Sequence, residues 1–529
     1  IEPKGRLMLE IRDLSRWLPQ EAIELYEGQG YNELYPPQAQ AVERGLLEGK
    51  NMLLALATAS GKTFLAELAM LKAALQSKRS LYIVPLRALA AEKFDSFQRF
   101  KDLGVSVGIS TGDFDKKDER LGRNQIIIAT SEKADSLMRN GASWIRDLAV
   151  LVIDEIHLLN DVGRGPTLEM TITKLRLSNS GLQIIGLSAT VANSRELADW
   201  LDAELVSSDW RPIALKEGVI CKGRLVFSDE ERALEAKKDE KKDESIALVR
   251  DTLSQDAQIL IFENSRKNAE AAAIKLSNLI PPDPKAETLS ESILATGESE
   301  TCHRLASCVS RGIAFHHAGL LPDQRRLVEQ GFRENRIKVI ASTPTLAAGL
   351  NLPARRVLIK SYRRYEYGSG MVPIPVIEYR QMAGRAGRPG LDPYGESFLM
   401  AKDDSEMRNL KEHYIDGSPE EIWSKLASES ALRTHILSTI TAGFARTEGE
   451  LKEFIATTFY AYQQDPWHLD AALEKVLAFL SDNGMIVDSP EGDLTPTKLG
   501  SLVSKLYIDP GTPVAVEAQA ADSDVKQAD

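Results

Sequence analysis

The sequence predicts an α/β fold in which two parallel-sheet domains follow one another and a mostly helical domain comes last. Short apolar runs alternate with helical patterns from about residue 35, the alternation returns from about residue 258, and the pattern becomes helical from about residue 420. Strands that alternate with helices are typical of βαβ units and of parallel sheets. We therefore expect two such domains, a helical domain and an unpatterned tail, at 1–208, 209–410, 411–509 and 510–529.

The first domain is predicted from six apolar runs, each of strand length and most followed by a helical pattern. A helical preface at residues 11–18 and 21–27 precedes them. The runs are 52–56, 81–84, 105–109, 125–129, 149–153 and 183–187.

The second domain is predicted from four further runs. Residues 233–244 precede them and contain KKDEKKDE, whose acids balance its lysines, so we interpret this stretch as a solvated face. Residues 280–300 are rich in Pro, Ser, Thr and Glu and are predicted to be an exposed insertion. The runs are 258–262, 312–315, 338–341 and 357–359.

The last domain is predicted to be a winged-helix module, because several helices surround a small hairpin. An apolar run at 485–487 is separated by a Pro-Glu-Gly-Asp turn from the final helix. The predicted helices are 422–440, 448–462, 469–483 and 495–506.

Composition narrows the functional class. The 529 residues contain no apolar run of the roughly 18 residues that a membrane span needs. The net charge of −12 argues against a module that binds nucleic acid through a broad basic surface, so any such contact must come from a local groove. Cys221, Cys302 and Cys308 lack paired metal-ligand spacing. Their low number is typical of a protein in a reducing, cytoplasmic setting. Their spacing favours ordinary structural roles over metal binding.

The most informative stretch is a small-residue loop that ends in Gly-Lys-Thr, directly after the apolar run 52–56 and before a helical pattern. A strand, a phosphate-binding loop and a helix in this order form an anion site from backbone N–H groups and the helix N-terminus. Lys62 can reach the β- and γ-phosphates, and the Thr63 hydroxyl can bind Mg²⁺. Ala57 stands where the general pattern has glycine. The loop residues expected at the phosphates are Thr58, Ala59, Ser60 and Gly61.

A second motif strengthens the interpretation of this loop as an ATP site. Asp154, Glu155 and His157 follow the apolar run 149–153. An aspartate at the end of a buried strand can hold the metal, and a neighbouring glutamate can activate water. Because His157 lies beside these carboxylates, we expect it to couple the nucleotide site to the rest of the protein rather than to be an ordinary core histidine. Gln38 offers an acceptor and two donors that suit the edge of adenine.

Two further motifs can be interpreted either as functional or as purely structural. Ser188 and Thr190, in Ser-Ala-Thr, could link the nucleotide cleft to the second domain or simply cap a helix. Arg385 and Arg388 lie three residues apart, on one face of a helical turn, and could clamp phosphoryl oxygens. The alternative is a surface salt-bridge stripe, which the glycines within QMAGRAGR make improbable.

In order, these motifs resemble those of the superfamily-two helicases. The resemblance is carried by PLRAL, TGD, ATSE, DEIH, SAT, AFHHAGL, STPTLAAGLNLP and QMAGRAGRPG. Two of these strings, HHAGL and QMAGRAGRPG, resemble the superkiller-like branch of the superfamily. Within it, the chain looks most like the archaeal DNA fork helicases related to the helicase domain of DNA polymerase theta. The family continues into a helical ratchet region, so we expect the natural protein to be longer than 529 residues.

The resemblance implies two RecA-like domains and a winged helix, with ATP- and Mg²⁺-dependent 3′→5′ movement on single-stranded DNA at stalled forks. It also implies which residues bind each ligand. Gly349 and Asn351 are assigned to the nucleotide. The DNA contacts it implies are Arg87, Thr130, Ser265, Arg266, Thr343 and Thr345.

Residues 362–377 are predicted to form a β-hairpin, because aromatic residues flank a Gly-Ser-Gly turn. In the family this hairpin splits the duplex, so Tyr365 is expected to stack on DNA. An ordinary surface hairpin is the alternative.

We expect a monomeric ATP-dependent DNA helicase that acts on single-stranded and forked DNA in fork repair and recombination, with single-strand-binding or fork proteins as possible partners and with nucleoid association. Two other functions stay open. One is a related RNA helicase, although the long winged-helix insertion common in RNA-processing relatives is not seen here. The other is an ATP-gated nucleic-acid clamp, against which Glu155 and the arginines argue.

Overall fold

A computed structural model describes most of the chain. The described residues are 9–112, 118–235, 243–344, 346, 352–366, 368–489 and 492–514. No helix within these ranges is long and apolar enough to cross a membrane.

The first domain contains a seven-stranded parallel sheet with the strand order β3-β4-β2-β5-β6-β1-β7. Its central strands are buried along nearly their whole length, as continuous runs of Val, Ile and Leu lead one to expect for a sheet covered on both faces. The strands are β1 (Met52–Leu56), β2 (Arg79–Val84), β3 (Val107–Ser110), β4 (Ile126–Thr130), β5 (Leu148–Ile153), β6 (Gln183–Ser188) and β7 (Glu204–Ser208).

Seven α-helices of the described residues accompany this sheet, and apolar cores form on both of its faces. The preface is a 3₁₀ helix at Ile11–Arg16 followed by the first α-helix. The helices are α1 (Gln20–Gly28), α2 (Pro36–Glu43), α3 (Lys62–Leu75), α4 (Arg87–Phe97), α5 (Ser131–Arg139), α6 (Gly165–Ser178) and α7 (Ser194–Trp200). Further 3₁₀ turns lie at Leu46–Glu48, Gln98–Leu103, Leu121–Arg123, Ser143–Asp147 and Ile156–Asn160.

The second domain contains an eight-stranded sheet with the order β10-β9-β8-β17-β14-β11-β13-β12. Six of its strands are parallel, and β9 and β10 add an antiparallel edge. The strands are β8 (Leu215–Cys221), β9 (Arg224–Val226), β10 (Glu231–Ala233), β11 (Ile259–Phe262), β12 (Ile313–His316), β13 (Val339–Ser342), β14 (Arg356–Ile359) and β17 (Gly395–Met400). A separate hairpin pairs β15 (Arg363–Glu366) with β16 (Gly370–Pro373).

The helices of this domain correct one prediction. Residues 284–294 are not an exposed insertion but a helix whose Ala286, Leu289 and Ile293 are buried in the domain core. The helices are α8 (Glu244–Ser254), α9 (Arg266–Ser277), α10 (Pro284–Leu294), α11 (Glu300–Val309), α12 (Pro322–Arg333), α13 (Val376–Ala383) and α14 (Asp404–Leu410), with a π-helical turn at Lys411–Ile415. The predicted solvated face at 233–244 lies mostly outside the described residues.

The helical domain has a core of its own, to which Met170 of α6 also contributes. Its small sheet pairs β18 (Ile486–Asp488) with β19 (Leu494–Pro496), and Leu494 N–H donates to the carbonyl of Arg446. Helices and a short hairpin in this arrangement form a winged helix. The helices are α15 (Glu429–Thr441), α16 (Glu448–Ala456), α17 (Phe459–Tyr462), α18 (Pro466–Asp482) and α19 (Lys498–Leu506).

Parallel strands place the candidate functional residues at one edge of each sheet. The phosphate-binding loop follows β1, and Asp154 follows β5 in the same sheet. In the second domain the segments after β11 and β13 lie side by side, since Phe262 pairs with Ser342. Two tandem sheets of this kind, with loops at their carboxyl edges, form two RecA-like domains followed by a helical domain.

Candidate nucleotide site and nucleic-acid interface

The phosphate-binding loop turns sharply between β1 and α3. Ala59 and Gly61 both have left-handed backbone angles, with φ of 66° and 80°. The Ser60 hydroxyl donates to the carbonyl of Ala57 at 2.7 Å, which closes the loop on itself. The amide groups of the loop and the start of α3 therefore form a compact turn of the type that binds phosphate.

Lys62 begins α3 beneath this loop. Its Nζ donates to the carbonyl of Leu56 at 2.7 Å. Burial lowers the pKa of Lys62, while the carboxylates of Glu155 and Asp154 raise it. The ammonium group is thus held between the loop backbone and the acidic pair that follows β5.

Asp154 and Thr63 meet through Tyr82. The Tyr82 hydroxyl donates to Oδ2 of Asp154 at 2.7 Å and also contacts the side chain of Thr63. Burial raises the pKa of Asp154, and Lys93 lowers it. A buried carboxylate beside a hydroxyl offers the hard oxygen ligands that Mg²⁺ prefers.

The described residues contain no cluster of three or more His, Cys, Asp or Glu side chains that could cage a metal. Mg²⁺ keeps several waters and is usually bound by one or two protein oxygens together with the phosphates of a nucleotide. The three cysteines are buried and free.

Glu155 and His157 face the second domain. Glu155 has a left-handed backbone with φ of 51°, and its Oε2 lies 3.4 Å from Nδ1 of His157. Gln381, near the end of α13, directs its Nε2 to Nε2 of His157 at 2.9 Å and to Oε2 of Glu155 at 3.4 Å. Burial lowers the pKa of His157 to about 3, so the imidazole is neutral. Residues of both domains therefore meet around the carboxylate of Glu155.

Arg385 enters the same cleft from the second domain. Burial lowers its pKa, and Glu155, Glu92 and Asp154 raise it, so its charge lies among the acids of the first domain. The approach is close, because a Cβ added to the neighbouring Gly384 would lie 2.6 Å from the Thr58 side chain. A side chain at position 384 would therefore clash with Thr58 of the first domain and with the carbonyl of Arg380.

Arg388 is held within the second domain. Its Nε and Nη2 donate to both carboxylate oxygens of Asp392 at 2.8 Å, and its Nη1 donates to Gln258 at 2.8 Å. All three residues belong to the second domain, whereas Arg385 lies among the acids of the first. The helix α13 ends at Ala383, so the two arginines lie beyond it and do not share a helical face.

Gln38 contacts both the start of α2 and the phosphate-binding loop. Its Oε1 accepts the Tyr35 backbone N–H at 2.8 Å, and its Nε2 donates to the carbonyls of Ser60 at 3.2 Å and Gly61 at 3.4 Å. Both ends of the amide that were expected to recognise adenine are therefore engaged within the protein. Gln38 caps α2 and braces the phosphate-binding loop.

Ser188 and Thr190 lie between the two domains, after β6. The Ser188 hydroxyl is buried and has no hydrogen-bond partner within the described residues. Thr190 lines a cleft of about 500 Å³ together with Thr58 of the loop and Arg211 and Arg380 of the second domain. Arg211 donates to the carbonyls on either side of Arg385, which holds that segment against the cleft.

The residues implied to bind DNA lie at the carboxyl edges of both sheets. Arg87 is exposed at the start of α4, and Thr130 caps α5 by accepting the Lys133 N–H. Ser265 caps α9 and precedes the exposed Arg266. Thr343 follows β13, and its N–H donates to the His316 carbonyl. Three further predicted residues lie outside the described ones: Thr345, Gly349 and Asn351.

The predicted hairpin is present, with Tyr365 opposite Met371. Both side chains project into solvent, with Tyr365 71% exposed. The base of the hairpin is anchored, because Tyr362 donates to Glu406 at 2.5 Å and Tyr414 donates to the carbonyl of Ile374 at 2.9 Å. An exposed aromatic thus stands on a fixed base.

Sequence reasoning missed several residues that build the cleft. Tyr82 lies inside an apolar run, where its hydroxyl gave no signal, and Arg211 lies at the start of the second predicted domain, outside every motif quoted above. Gln381 was part of a quoted motif, yet no role was assigned to it. Only the pairing of β2 with β5 shows that Tyr82 stands opposite Val152, one residue from the end of a strand that leads to Asp154.

The fold and the cleft define the class. A phosphate-binding loop and an acidic pair on one RecA-like domain face an arginine and a glutamine on the next, as in two-domain helicases. The chain matches the families described as DEAD/DEAH box helicase over residues 35–198, Helicase conserved C-terminal domain over 240–390 and Helix-turn-helix domain over 395–487.

Relatives named ATP-dependent DNA helicase Hel308 are similar over nearly the whole chain. The protein of Methanocella arvoryzae is 53% identical over 504 residues, which cover 93% of this chain and 67% of the relative. Those of Caldivirga maquilingensis and Pyrococcus abyssi are 43% and 44% identical, over 92% of this chain and 66% and 67% of their own lengths. The chain belongs to the Hel308 family of ATP-dependent DNA helicases, and it spans about two thirds of the length of these relatives.

Proposed function

We propose that this chain hydrolyses ATP in the cleft between its two RecA-like domains and uses the cycle to move 3′→5′ on single-stranded DNA and open forked duplexes. The observation that carries the proposal is the approach of Gln381 to both His157 and Glu155. Since the site combines groups from two domains, hydrolysis can change how the domains sit on a strand. The 3′→5′ direction and a role in fork repair and recombination come from the resemblance.

The nucleotide site follows from the cleft. The loop residues Thr58 to Gly61 and the ammonium of Lys62 bind phosphate oxygens, and Thr63 and Asp154 hold Mg²⁺. When bound, this ion neutralises charge on the phosphoryl oxygens. Glu155 accepts a proton from the attacking water. Gly349 and Asn351 remain proposed nucleotide contacts on the resemblance alone.

Arg385 is the proposed arginine finger. Its position among Glu155, Glu92 and Asp154 places a guanidinium where negative charge would develop on the phosphoryl group. His157, through Gln381, reports the state of Glu155 to the second domain. Ser188 and Thr190 provide a second link beside the cleft, and the Ser188 hydroxyl, which has no partner among the described residues, can make a new hydrogen bond on closure.

Single-stranded DNA is proposed to cross the carboxyl edges of both sheets. The groups available for DNA contact are backbone amides at helix starts, hydroxyls and two exposed arginines. Such groups bind phosphates, so we expect little preference for particular bases. The proposed contacts are Arg87, Thr130, Ser265, Arg266, Thr343 and Thr345.

The hairpin is the proposed strand-separating element. Tyr365 can stack on the last base pair and offset part of the roughly 1.4 kcal/mol that each opened step costs. The fixed base at Tyr362 and Tyr414 supports this role, because a wedge must resist the duplex as the motor pulls.

We also propose the division of the chain at 1–208, 209–410 and 411–509, and action as a monomer. One chain supplies both halves of the cleft, so a second copy is not needed for hydrolysis. Association with the nucleoid, single-strand-binding proteins or fork proteins would follow from the proposed substrate.

The test is strand separation on a matched set of substrates. Forked duplexes of DNA and of RNA, each with a 3′ or a 5′ tail, are incubated with ATP and with a non-hydrolysable analogue. We expect ATP-dependent separation of 3′-tailed DNA. Equal activity on RNA would favour an RNA helicase. Strand-stimulated ATP hydrolysis without separation of any duplex would favour a clamp.

A further inference from the structure

Helix α13 contacts both the hairpin and the hydrolysis site. Near its end, Gln381 directs its Nε2 to His157 at 2.9 Å and to Glu155 at 3.4 Å. One turn earlier, Oε2 of Glu378 accepts a charged hydrogen bond from Nη1 of Arg364 at 2.5 Å. Residues three apart on a helix are neighbours on its surface, about 4.5 Å apart along the axis. The contact with the hairpin and the contact with the proposed base are therefore adjacent on one helix.

Arg364 binds the hairpin with the other edge of its guanidinium. It lies on β15 next to Tyr365 and opposite Val372. Its Nε and Nη2 lie 2.9 Å and 2.8 Å from Oε1 of Glu366 on the same strand. A planar guanidinium can bind two carboxylates at once, because its five N–H donors point in fixed directions. Arg364 thus joins a carboxylate of the hairpin to a carboxylate of α13.

The helix itself is held at its start and at its centre. Glu420 accepts the first two N–H groups of α13, at 2.6 Å and 3.1 Å. The buried Tyr379 donates its hydroxyl to Glu217 at 2.8 Å. Because packed interiors have low compressibility and transmit strain, a short helix held in this way moves as one body. A displacement at Glu378 therefore also displaces Gln381.

We propose that Arg364 and Glu378 are positioning residues that pass load on the hairpin to Gln381. A duplex that meets the hairpin pushes on β15, and Arg364 carries this push to α13. The separation of 2.9 Å between Gln381 and His157 is already optimal for a hydrogen bond, so displacement in either direction weakens the contact beside Glu155. Hydrolysis is therefore slower while an unopened base pair rests against the hairpin. The ion pair acts on the reaction only through Gln381.

This inference rests on the proposed function, and separate readouts distinguish the two. Wild-type ATP turnover on single-stranded DNA and separation of an ordinary fork report on the proposed function. The coupling is reported by a ratio, turnover on a fork that cannot open divided by turnover on single-stranded DNA. This fork carries the same 3′ tail and an interstrand crosslink at the first base pairs of its duplex.

The variants Arg364→Gln and Glu378→Gln each break the ion pair. For wild type, we expect turnover on the crosslinked fork to be about fivefold lower than on single-stranded DNA, at the lower end of the usual coupling between sites. In both variants the two turnovers should be nearly equal, with single-strand turnover near that of wild type. Arg364→Lys keeps the charge and should retain part of the difference. The matched control is Arg363→Gln, which removes an exposed positive charge from the neighbouring position of β15 and should behave as wild type.

A double variant tests whether the two residues act as one contact. Arg364→Gln combined with Glu378→Gln should give the same ratio as either change alone, and independent effects that multiply would overturn the proposal. A ratio like that of wild type in Arg364→Gln would also overturn it. Equal wild-type turnover on both substrates would contradict the coupling and leave the proposed function intact. Thermal melting is measured on each preparation, because equal losses of turnover on both substrates with a lower melting temperature would show a merely structural role.

Discussion

The Nε2 of Gln381 lies 2.9 Å from the Nε2 of His157, across the cleft between the two RecA-like domains. Because burial lowers the pKa of His157 to about 3, the ring is neutral near pH 7. The amide N–H donates to Nε2, so the ring proton belongs on Nδ1. The Nε2 of Gln381 also lies 3.4 Å from Oε2 of Glu155, so the second domain contacts the proposed catalytic base directly.

The first prediction concerns ATP hydrolysis. Lys62→Ala should abolish strand-stimulated turnover, because the ammonium group between the loop and Asp154 is lost. Glu155→Gln should bind ATP but fail to hydrolyse it, since the amide cannot accept the water proton. Turnover and retained nucleotide are measured on the same samples. Near-normal turnover in both variants would contradict the site.

The second prediction separates Arg388 from Arg385. Arg388→Ala should destabilise the second domain by about 1–3 kcal/mol, because Asp392 and Gln258 lose a charged hydrogen-bond partner. Turnover at saturating ATP should stay within about threefold of wild type, since this arginine does not face the cleft. Thermal melting and turnover are compared directly. A large loss of turnover in a normally stable variant would show that Arg388 reaches the phosphates during the cycle.

The third prediction concerns the hairpin. Replacement of residues 365–371 by a short Gly-Ser link should remove duplex separation and spare ATP turnover on single strands. Tyr365→Ala should weaken separation in the same direction, because stacking on a base is worth about 1–3 kcal/mol. Met371→Ala, on the opposite strand of the hairpin, is the matched control. Equal separation with and without the hairpin would assign the wedge to another element.

The fourth prediction concerns pH. Burial between α6 and the winged helix raises the pKa of Glu169 to about 7, although Ser424 and the Tyr460 N–H donate to it. Its folded-state pKa thus exceeds the unfolded value, so the folded protein holds an extra proton in this window. Stability contributed by Glu169 should fall as pH rises from 5 to 7, by on the order of 2 kcal/mol.

Glu169→Gln tests this assignment, because an amide cannot ionise. Its melting temperature should depend less on pH between 5 and 7 than that of wild type. Glu474→Gln, an exposed change on α18, should follow wild type. Parallel curves for wild type and Glu169→Gln would show that this carboxylate does not titrate in the window.

The sequence predicted those parts of the fold and site whose signals are local. The apolar runs that lead to the phosphate-binding loop and to Asp154 form strands because they are buried on both faces. β8 was missed, since its first three residues, Leu-Lys-Glu, are only partly buried and the strand begins without an apolar run. Residues 284–294 have a polar composition, yet Ala286, Leu289 and Ile293 form one buried face that composition alone does not reveal.

Local sequence signals were also insufficient to predict the contacts of two candidate site residues. Gln38 and Arg388 have side chains suited to nucleotide contact, but neighbours in the folded chain already engage them. These neighbours are a loop 22 residues away for Gln38 and Gln258, 130 residues away, for Arg388. Competition from the Ser60 carbonyl and from Gln258 depends on tertiary contacts, so residue type and local spacing could not predict it, whereas Asp392 lies only four residues from Arg388.

The central claim is that the second domain completes the hydrolysis site of the first, and Arg385→Ala tests it most directly. ATP affinity and saturating turnover are measured on one preparation with single-stranded DNA present. The account predicts a fall in turnover of at least about 10³-fold with nearly unchanged affinity, as for other arginine fingers. Turnover at saturation close to that of wild type, with or without a collapse in affinity, would contradict it.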